Sequence, residues 1–365
     1  MSVEQRAAPL VQASLKKIST VSNSTNIVAR DAARLNHYFK KSAVSEFAST
    51  PVINEVFSYV AETTVGSQTF DLIVDTGSSN TWVGATTKFK SGSGTSTGDS
   101  VSVSYGSGSF SGTEYTAAVA LGSTGVTKQS IGVAKTATGF TGVDGIVGFG
   151  PEDLTEDTVS GVTEVPTFMQ TLLSEGVITK NILGVSFAVP SGSSDDDSNG
   201  VLTFGAVDSS KYTGSITYTD RVGDYWGVDV SKWEFGTTSL GTSSAQGIVD
   251  TGTTLLYVPT AVYDKFLTAS GGKADSSSGL VKFTTKPTKD FSFVVGGTTY
   301  TLTPTQYLIP SAQYSDWGLT GSDYFTFIGD GGSEAPATIL GQTFLEHFYA
   351  VFDTTNDRVG LAVAA

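Results

Sequence analysis

From about Val52 onward the chain alternates Val, Thr, Ser and Tyr in short runs broken by Gly-Ser turns, the period-two pattern of half-buried strands. Phe110 to Val119, Gln129 to Val133, Gly200 to Phe204 and Thr213 to Tyr218 read as strands on this basis. The period lengthens in three places. Ile27 to Lys41 carries Val28, Ala32, Leu35 and Phe39 at helical spacing, with Lys40 and Lys41 at the end where cations favour the helix dipole. A second helix is predicted by Pro166 at its first turn, Phe168, Met169, Leu172 and Leu173 on one face, and Gly176 just past its end. A third runs from Pro259 through Val262, Tyr263, Phe266 and Leu267 to Gly271. The expected class is all-β with a few short helices, and Ser91 to Ser100 and Ser191 to Asn199 are expected as surface loops.

Two copies of one phrase interrupt the strand pattern: Val74-Asp75-Thr76-Gly77-Ser78 and Val249-Asp250-Thr251-Gly252-Thr253, 175 residues apart. Each is entered by an apolar run, so each predicts a strand ending in a tight turn that leaves a carboxylate projecting from the loop. An aromatic follows seven residues after each aspartate (Trp82, Tyr257), and an apolar-apolar-glycine segment comes later, ending at Gly148 and Gly341. This internal repeat implies two similar lobes meeting at a cleft. Two carboxylates brought face to face hold one proton between them, because both cannot ionise cheaply. Such a pair is an acid and a base in one site: the ionised oxygen takes a proton from water while the neutral acid donates to a carbonyl.

Composition narrows the chemistry further. The 365 residues contain no cysteine and only two histidines, His37 and His347, which excludes a cysteine nucleophile and leaves no set for a Ser-His-Asp triad or a multi-histidine zinc site. His347, beside Phe348 and Tyr349, reads as structural. Asp195-Asp196-Asp197 lacks the glycine and glutamate of a calcium loop, so no metal or cofactor is expected. The net charge of −14 divides into +4 for residues 1 to 48 and −18 for the rest: a basic segment tethered to an acidic body. No basic patch remains on the body for nucleic acid, and no run is apolar enough to cross a membrane. An acidic surface suits work at low pH, and it also suits solubility alone.

The two tetrads with their flanks, Phe70-Asp71-Leu72-Ile73 before the first and Ser79-Asn80-Thr81-Trp82-Val83 after it, resemble the active-site loops of pepsin-like aspartic peptidases. Tyr105-Gly106-Ser107-Gly108-Ser109-Phe110 is similar to that family's flap hairpin, and Asp144-Gly145-Ile146-Val147-Gly148 and Ile339-Leu340-Gly341 to the segments that cross behind the loops. The closing strands from Phe348 to Ala362 fit as well, so the resemblance covers about Val56 to the C-terminus, most like secreted fungal, polyporopepsin-like members.

The resemblance implies a bilobal fold of two pseudo-twofold-related antiparallel β lobes, divided here as a prosegment at 1–48, an N-terminal lobe at 49–212 and a C-terminal lobe at 213–365. It implies an aspartic endopeptidase made as an inactive zymogen and acting at acidic pH, next to bulky hydrophobic residues, with Asp75 and Asp250 as the catalytic dyad. Thr76, Gly77, Ser78, Thr251, Gly252 and Thr253 are the expected support, with the threonines bracing the loops and Ser78 and Thr253 bonding the outer carboxylate oxygens. Tyr105, Gly106 and Ser107 form the expected flap, with Tyr105 bonded to Trp82, and Ile73, Phe110, Val143 and Ile146 are candidate pocket walls. In place of the aspartate that many relatives carry after the second crossing segment stands Gln342, which should ease the dyad's second ionisation. Lys40 or Lys41 is expected to face the aspartates in the zymogen, with Tyr38 contributing hydrogen bonds, although the register differs from the usual Lys-Tyr-Phe order.

Acid would then loosen the basic segment from the acidic body, or a separate protease would trim the linker near Ala43 to Thr50. The partners expected are polypeptide substrates and the chain's own prosegment, without nucleic acid or membrane, for a monomer that is secreted or vacuolar. Two other classes compete: a pepsin-fold protein that binds without cleaving, whose tetrads are usually damaged, and a glycosidase with paired carboxylates, which needs no matching turn motifs.

Overall fold

A computed structural model describes residues 10–19, 23–41, 57–189 and 200–365. The strands among these residues form two large sheets and a small one. The larger sheet has thirteen strands, and its sixth is β1 (Val11–Ser19), a strand that the sequence reading does not anticipate. β1 pairs antiparallel with Gly200–Phe204 through Val11 to Leu15, then with β2 (Phe57–Val65) through Lys16 to Ser19. Ala13, Leu15 and Lys17 alternate inward along it and are buried. Beyond β2 come β3 (Gln68–Asp75) and the strands of the first half; on the other side of β1 lie Ile182–Ser186 and the C-terminal strands Phe348–Asp353 and Arg358–Ala364. The second large sheet, of eight strands, is built entirely from residues after 226.

The internal repeat is visible in the pairing. β3 runs parallel to Gly145–Gly148, with Asp75 opposite Gly148, and Trp82–Val83 lies antiparallel on the other side of that strand. In the second half Ala245–Val249 runs parallel to Thr338–Leu340, with Val249 opposite Leu340, and Leu256–Val258 lies antiparallel on its far side. The lobes are therefore mixed around the site and not purely antiparallel: the crossing segments add parallel pairs because each must pass behind a loop in the direction of the strand that feeds it. Gly148 has no room for a side chain, since a Cβ there would lie 2.5 Å from the Ser79 carbonyl carbon.

Three helices match the lengthened periods: α1 (Ser24–Lys41), α2 (Phe168–Ser174) and α3 (Thr260–Ser270), the last ended by Gly271 in the left-handed conformation. The four strands anticipated from periodicity all lie within observed ones: Ser109–Leu121, Thr124–Thr138, Gly200–Phe204 and Tyr212–Asp220. The strand beginning at Tyr212 continues the larger sheet across the expected lobe boundary. The boundary at 48, the linker near Ala43 to Thr50 and the triplet Asp195-Asp196-Asp197 lie outside the described residues.

Candidate active site

Each tetrad forms at the end of a buried strand, and the two loops lock together. The Thr76 amide donates to Thr251 Oγ1 (2.9 Å) and the Thr251 amide to Thr76 Oγ1 (3.0 Å). Thr76 Oγ1 in turn donates to the Val249 carbonyl (3.1 Å) and Thr251 Oγ1 to the Val74 carbonyl (2.8 Å). These four buried bonds tie two loops from distant parts of the chain into one rigid base. Above it the carboxylates are held alike. Asp75 accepts from the Gly77 amide (3.0 Å) and Ser78 Oγ (2.6 Å), and Asp250 from the Gly252 amide (2.8 Å) and Thr253 Oγ1 (2.5 Å). Glycine is required at both tips: a Cβ on Gly252 would collide with Asp75 Oδ1, and one on Gly77 would lie 2.7 Å from Asp250 Oδ1. Thr76, Gly77, Ser78, Thr251, Gly252 and Thr253 thus lie around the two aspartates.

The charge that faces the dyad comes from α1. Arg34 Nη2 donates to Asp75 Oδ1 (2.8 Å) and to Asp250 Oδ2 (3.0 Å) and Oδ1 (3.2 Å), and Nη1 reaches Asp75 Oδ2 at 3.4 Å. Tyr38 Oη accepts from Arg34 Nη2 (2.8 Å) and donates to Asp250 Oδ2 (2.8 Å). Tyr38 and Arg34 thus face the two aspartates, and the cation found there is Arg34 in place of the expected Lys40 or Lys41, whose side chains lie outside the described residues. The physical reason is helical geometry. Arg30, Arg34 and Tyr38 repeat every four residues and share one face, and a planar guanidinium can fork between two carboxylates where an ammonium is a point charge. A basic residue four positions before the tyrosine was the available signal.

A second clasp lies one turn earlier. Asp31 Oδ2 accepts from the amides of Thr254 and Leu255 (3.0 Å each), Arg30 Nη2 donates to Asp31 Oδ1 (3.1 Å) and to Thr254 Oγ1 (2.6 Å), and all of these groups are buried. Burial pushes the Asp31 carboxyl above its usual value despite the Arg30 charge. Neither residue stands out in sequence, since an adjacent Arg-Asp pair reads as helix surface.

The dyad's two acids differ. Burial raises the Asp75 carboxyl above 3.8, opposed by Arg34 and reinforced by Asp250. At Asp250 burial pushes the same way, but Arg34, the Thr253 hydroxyl, the Gly252 amide and the Tyr38 hydroxyl outweigh it and leave that carboxyl below 3.8. Gln342 is buried behind the second loop, where its Nε2 donates to the Thr251 carbonyl (2.8 Å), so the place holds a neutral brace.

The flap hairpin closes over α1. The Tyr105 amide donates to the Gly108 carbonyl (2.8 Å) and Ser107 to the Tyr105 carbonyl (2.8 Å), turning the tip through Gly106 at φ +74°. A Cβ at Gly106 would meet the Ala33 carbonyl oxygen, so the tip rests directly on the helix. Tyr105 and Trp82 lie side by side, their rings stacked at 6.4 Å and the phenol oxygen and indole N–H both buried. Burial, then Asp75, lift the Tyr105 phenol well above its usual value, while the nearby indole N–H pulls the other way. Ile73, Phe110, Val143 and Ile146 join Trp82, Tyr105 and Phe140 in a buried apolar cluster, with Phe110 stacked on Trp82 at 4.2 Å. They back the flap and do not line the open space. That space is a cavity of about 330 Å³ beside the dyad, bounded by Arg34, Tyr38, Tyr105, Asn80, Leu154 and Tyr225. Tyr225, unmarked in sequence, packs edge-on against Tyr38 at 4.7 Å. His347 is half-buried away from the site, and burial lowers its pKa. Among the described residues no cluster of His, Cys, Asp and Glu could hold a metal.

Comparison with known proteins agrees with this geometry. Residues 58–364 match the family model "Eukaryotic aspartyl protease". Polyporopepsin of Irpex lacteus is 45% identical over 333 residues, covering 87% of this chain and 97% of that protein. The crystal structure of the aspartic proteinase from Irpex lacteus superposes with a TM-score of 0.79 at 46% identity, covering 84% of this chain and 94% of the other. Gastricsin of Cavia porcellus is 35% identical over 228 residues, covering 61% of this chain and 54% of its own length. The chain belongs to the eukaryotic aspartyl protease family: it is a pepsin-like aspartic endopeptidase, closely related to fungal polyporopepsin, a hydrolase of polypeptides that works by general acid and base catalysis between two aspartates.

Proposed function

We propose that Asp75 and Asp250 are the catalytic pair, and that residues 1–48 form a prosegment that keeps a secreted, monomeric acid endopeptidase latent until it is removed from the lobes at 49–212 and 213–365. The observation that carries this reading is a single guanidinium, Arg34, lying within hydrogen-bond reach of both carboxylates. A cation on a side chain of the same molecule occupies the place where water and a scissile peptide must sit. With α1 withdrawn, one proton is shared by the pair. The ionised carboxylate takes a proton from water, the water oxygen bonds to the peptide carbonyl carbon, and the other carboxyl gives its proton to the carbonyl oxygen, leaving a gem-diol with no covalent link to the enzyme. Collapse breaks the C–N bond as the amine receives a proton from the dyad. Ser78 and Thr253 keep the carboxylates oriented through these steps, and Tyr105 with Gly106 and Ser107 folds down over substrate where α1 now lies.

Bulky hydrophobic residues beside the cut suit Leu154 and Tyr225 in the cavity wall. The test is cleavage of a denatured protein by acid-treated enzyme, with Asp75→Asn and Asp250→Asn in parallel. Each variant is expected to lose at least about 10²–10⁴-fold in rate; undiminished cleavage by either would remove the dyad from the mechanism.

A further inference from the structure

Asn23-Ser24-Thr25 is the only Asn-X-Ser/Thr triplet in the 365 residues, although the sequence contains eight asparagines. It straddles the start of α1, with Asn23 just outside the helix and Ser24 and Thr25 its first two residues, in a part of the chain to which the proposed catalysis gives no role. Asn23 is exposed, and its Oδ1 accepts from the Thr25 amide (3.0 Å), which engages the side-chain oxygen and leaves Nδ2 to the outside. Its carbonyl accepts the Asn26 amide (3.1 Å), so the residue is held in one orientation at the helix start. Ser24 is buried, its amide bonded to the Trp317 carbonyl (2.7 Å), and Thr25 Oγ1 donates to the Ser277 carbonyl (3.0 Å). Only Asn23 of the three can carry a large substituent in the folded chain with its side-chain contacts intact.

We infer that Asn23 is an N-linked glycosylation site, and that its sugar is carried by the segment that activation discards. The inference rests on the secretory reading above. The Nδ2 nitrogen bonds to the anomeric carbon of a lipid-pyrophosphate-linked oligosaccharide, the carbon–oxygen bond to the pyrophosphate breaks, the lipid pyrophosphate leaves, and the displaced amide proton passes to the transferase. The transferase reads the hydroxyl two residues on, and in the folded chain that hydroxyl is committed to Ser277. Modification therefore precedes docking of α1. Arg34 lies eleven residues further, about 16 Å along the helix axis, so the sugar clears the dyad. The modified helix start seats against the second half of the molecule with the sugar outward, and the mature enzyme emerges without it.

The test is cell-free translation of the full chain behind a heterologous cleavable leader, with microsomes present, followed by endoglycosidase and peptide mass analysis of residue 23. One oligosaccharide is expected, absent in Asn23→Gln and Thr25→Ala and retained at reduced occupancy in Thr25→Ser. Acid conversion should leave the sugar on the small fragment and none on the body. A translocated chain with residue 23 wholly unmodified, or a sugar that stays on the body, would overturn the assignment. Modification in microsomes combined with failure of the natural host to export the protein would instead count against the secretory reading.

Discussion

β1 and α1 belong to the same N-terminal segment, yet they are held to the body by different physics. β1 is stitched in by backbone. It is the sixth of thirteen strands, with five on one side and seven on the other, and its ladders to Gly200–Phe204 and β2 are what make one sheet of the two groups. α1 makes its own backbone bonds internally and is held by side chains: Arg34 and Tyr38 on the dyad, Asp31 and Arg30 on the turn after Asp250. Backbone amides do not titrate between pH 2 and 8, whereas carboxylates do, so acid acts on the helix and leaves the strand in place. One segment thus joins a helix held by titratable side chains to a strand held mainly by its backbone ladders.

The largest break in this comparison is Arg34→Ala. It strips the cation from two buried carboxylates at once, and removal of one member of a buried pair costs about 3–5 kcal/mol. The carboxylates escape that cost if α1 undocks, so the variant should cleave peptide at pH 5 before any chain conversion, where the parent is silent. Initial rates on a chromogenic peptide measure this; a variant as latent as the parent would show that Arg34 is not what holds the helix. Arg34→Lys should fall between the two, since an ammonium keeps the charge and loses the fork.

Lys17→Ala probes the other half. Lys17 Nζ meets Glu346 Oε1 at 2.5 Å, both groups buried, and Tyr59 Oη donates to the same oxygen (3.1 Å). A loss of about 3 kcal/mol is expected, read as a lower thermal midpoint of the intact chain. No early activity should accompany it, because the ladder of β1 remains and α1 is untouched. Early activity in Lys17→Ala would mean that strand and helix leave together, and the division drawn between them would fail.

The two halves also differed in how far sequence alone revealed them. α1 was legible because apolar residues at helical spacing survive in any helix that buries one face. β1 carries its period-two signal in Ala13 and Leu15, but the next inward position is Lys17, which reads as exposed unless its buried partner 329 residues away is known. The tetrads and their supporting hydroxyls were legible because the chemistry fixes both residue type and spacing. Arg34 was missed because its spacing is set only relative to Tyr38, four residues on, and not to either tetrad. Pocket walls fared worst, since Ile73 and Phe110 are apolar whether they face a cleft or, as here, a flap's underside.

A pH effect of the body itself must be separated from that of α1. Glu114 is buried on the strand Ser109–Leu121, with Ser130 Oγ donating to Oε1 (2.5 Å) and Oε2 unpaired. Burial raises its carboxyl from 4.5 to about 7, with Ser130 opposing. The folded chain then holds a proton that the unfolded chain has lost, so stability declines as pH rises between 4.5 and 7. Glu114→Gln is neutral throughout. It should match the parent at pH 4 and exceed it at pH 7 by at most about 3 kcal/mol, measured by denaturant unfolding at the two pH values. In that background the body keeps only the acid sensitivity of carboxylates such as Asp208 and Asp275, whose hydrogen bonds hold them below 3.8, and the rest belongs to α1.

Tyr38→Phe is the finest cut, because it removes one hydroxyl and leaves every charge in place. Tyr38 Oη donates to Asp250 Oδ2 and accepts from Arg34, and a hydrogen bond to a charged group is worth about 1.5–3 kcal/mol. Asp250 titrates below 3.8 in the docked state because burial is outweighed by Arg34, Thr253, Gly252 and this hydroxyl. A carboxyl depressed by docking stabilises the docked form above its free value, and that stabilisation is lost as pH falls through the docked value. Without the hydroxyl Asp250 is less depressed, so it takes up its proton at higher pH and α1 loosens sooner. Amide exchange followed by mass spectrometry should show α1 opening at a higher pH in Tyr38→Phe than in the parent, with β1 protected equally in both. An unchanged midpoint would place the acid trigger at another carboxylate, and Asp31 would be the next to examine.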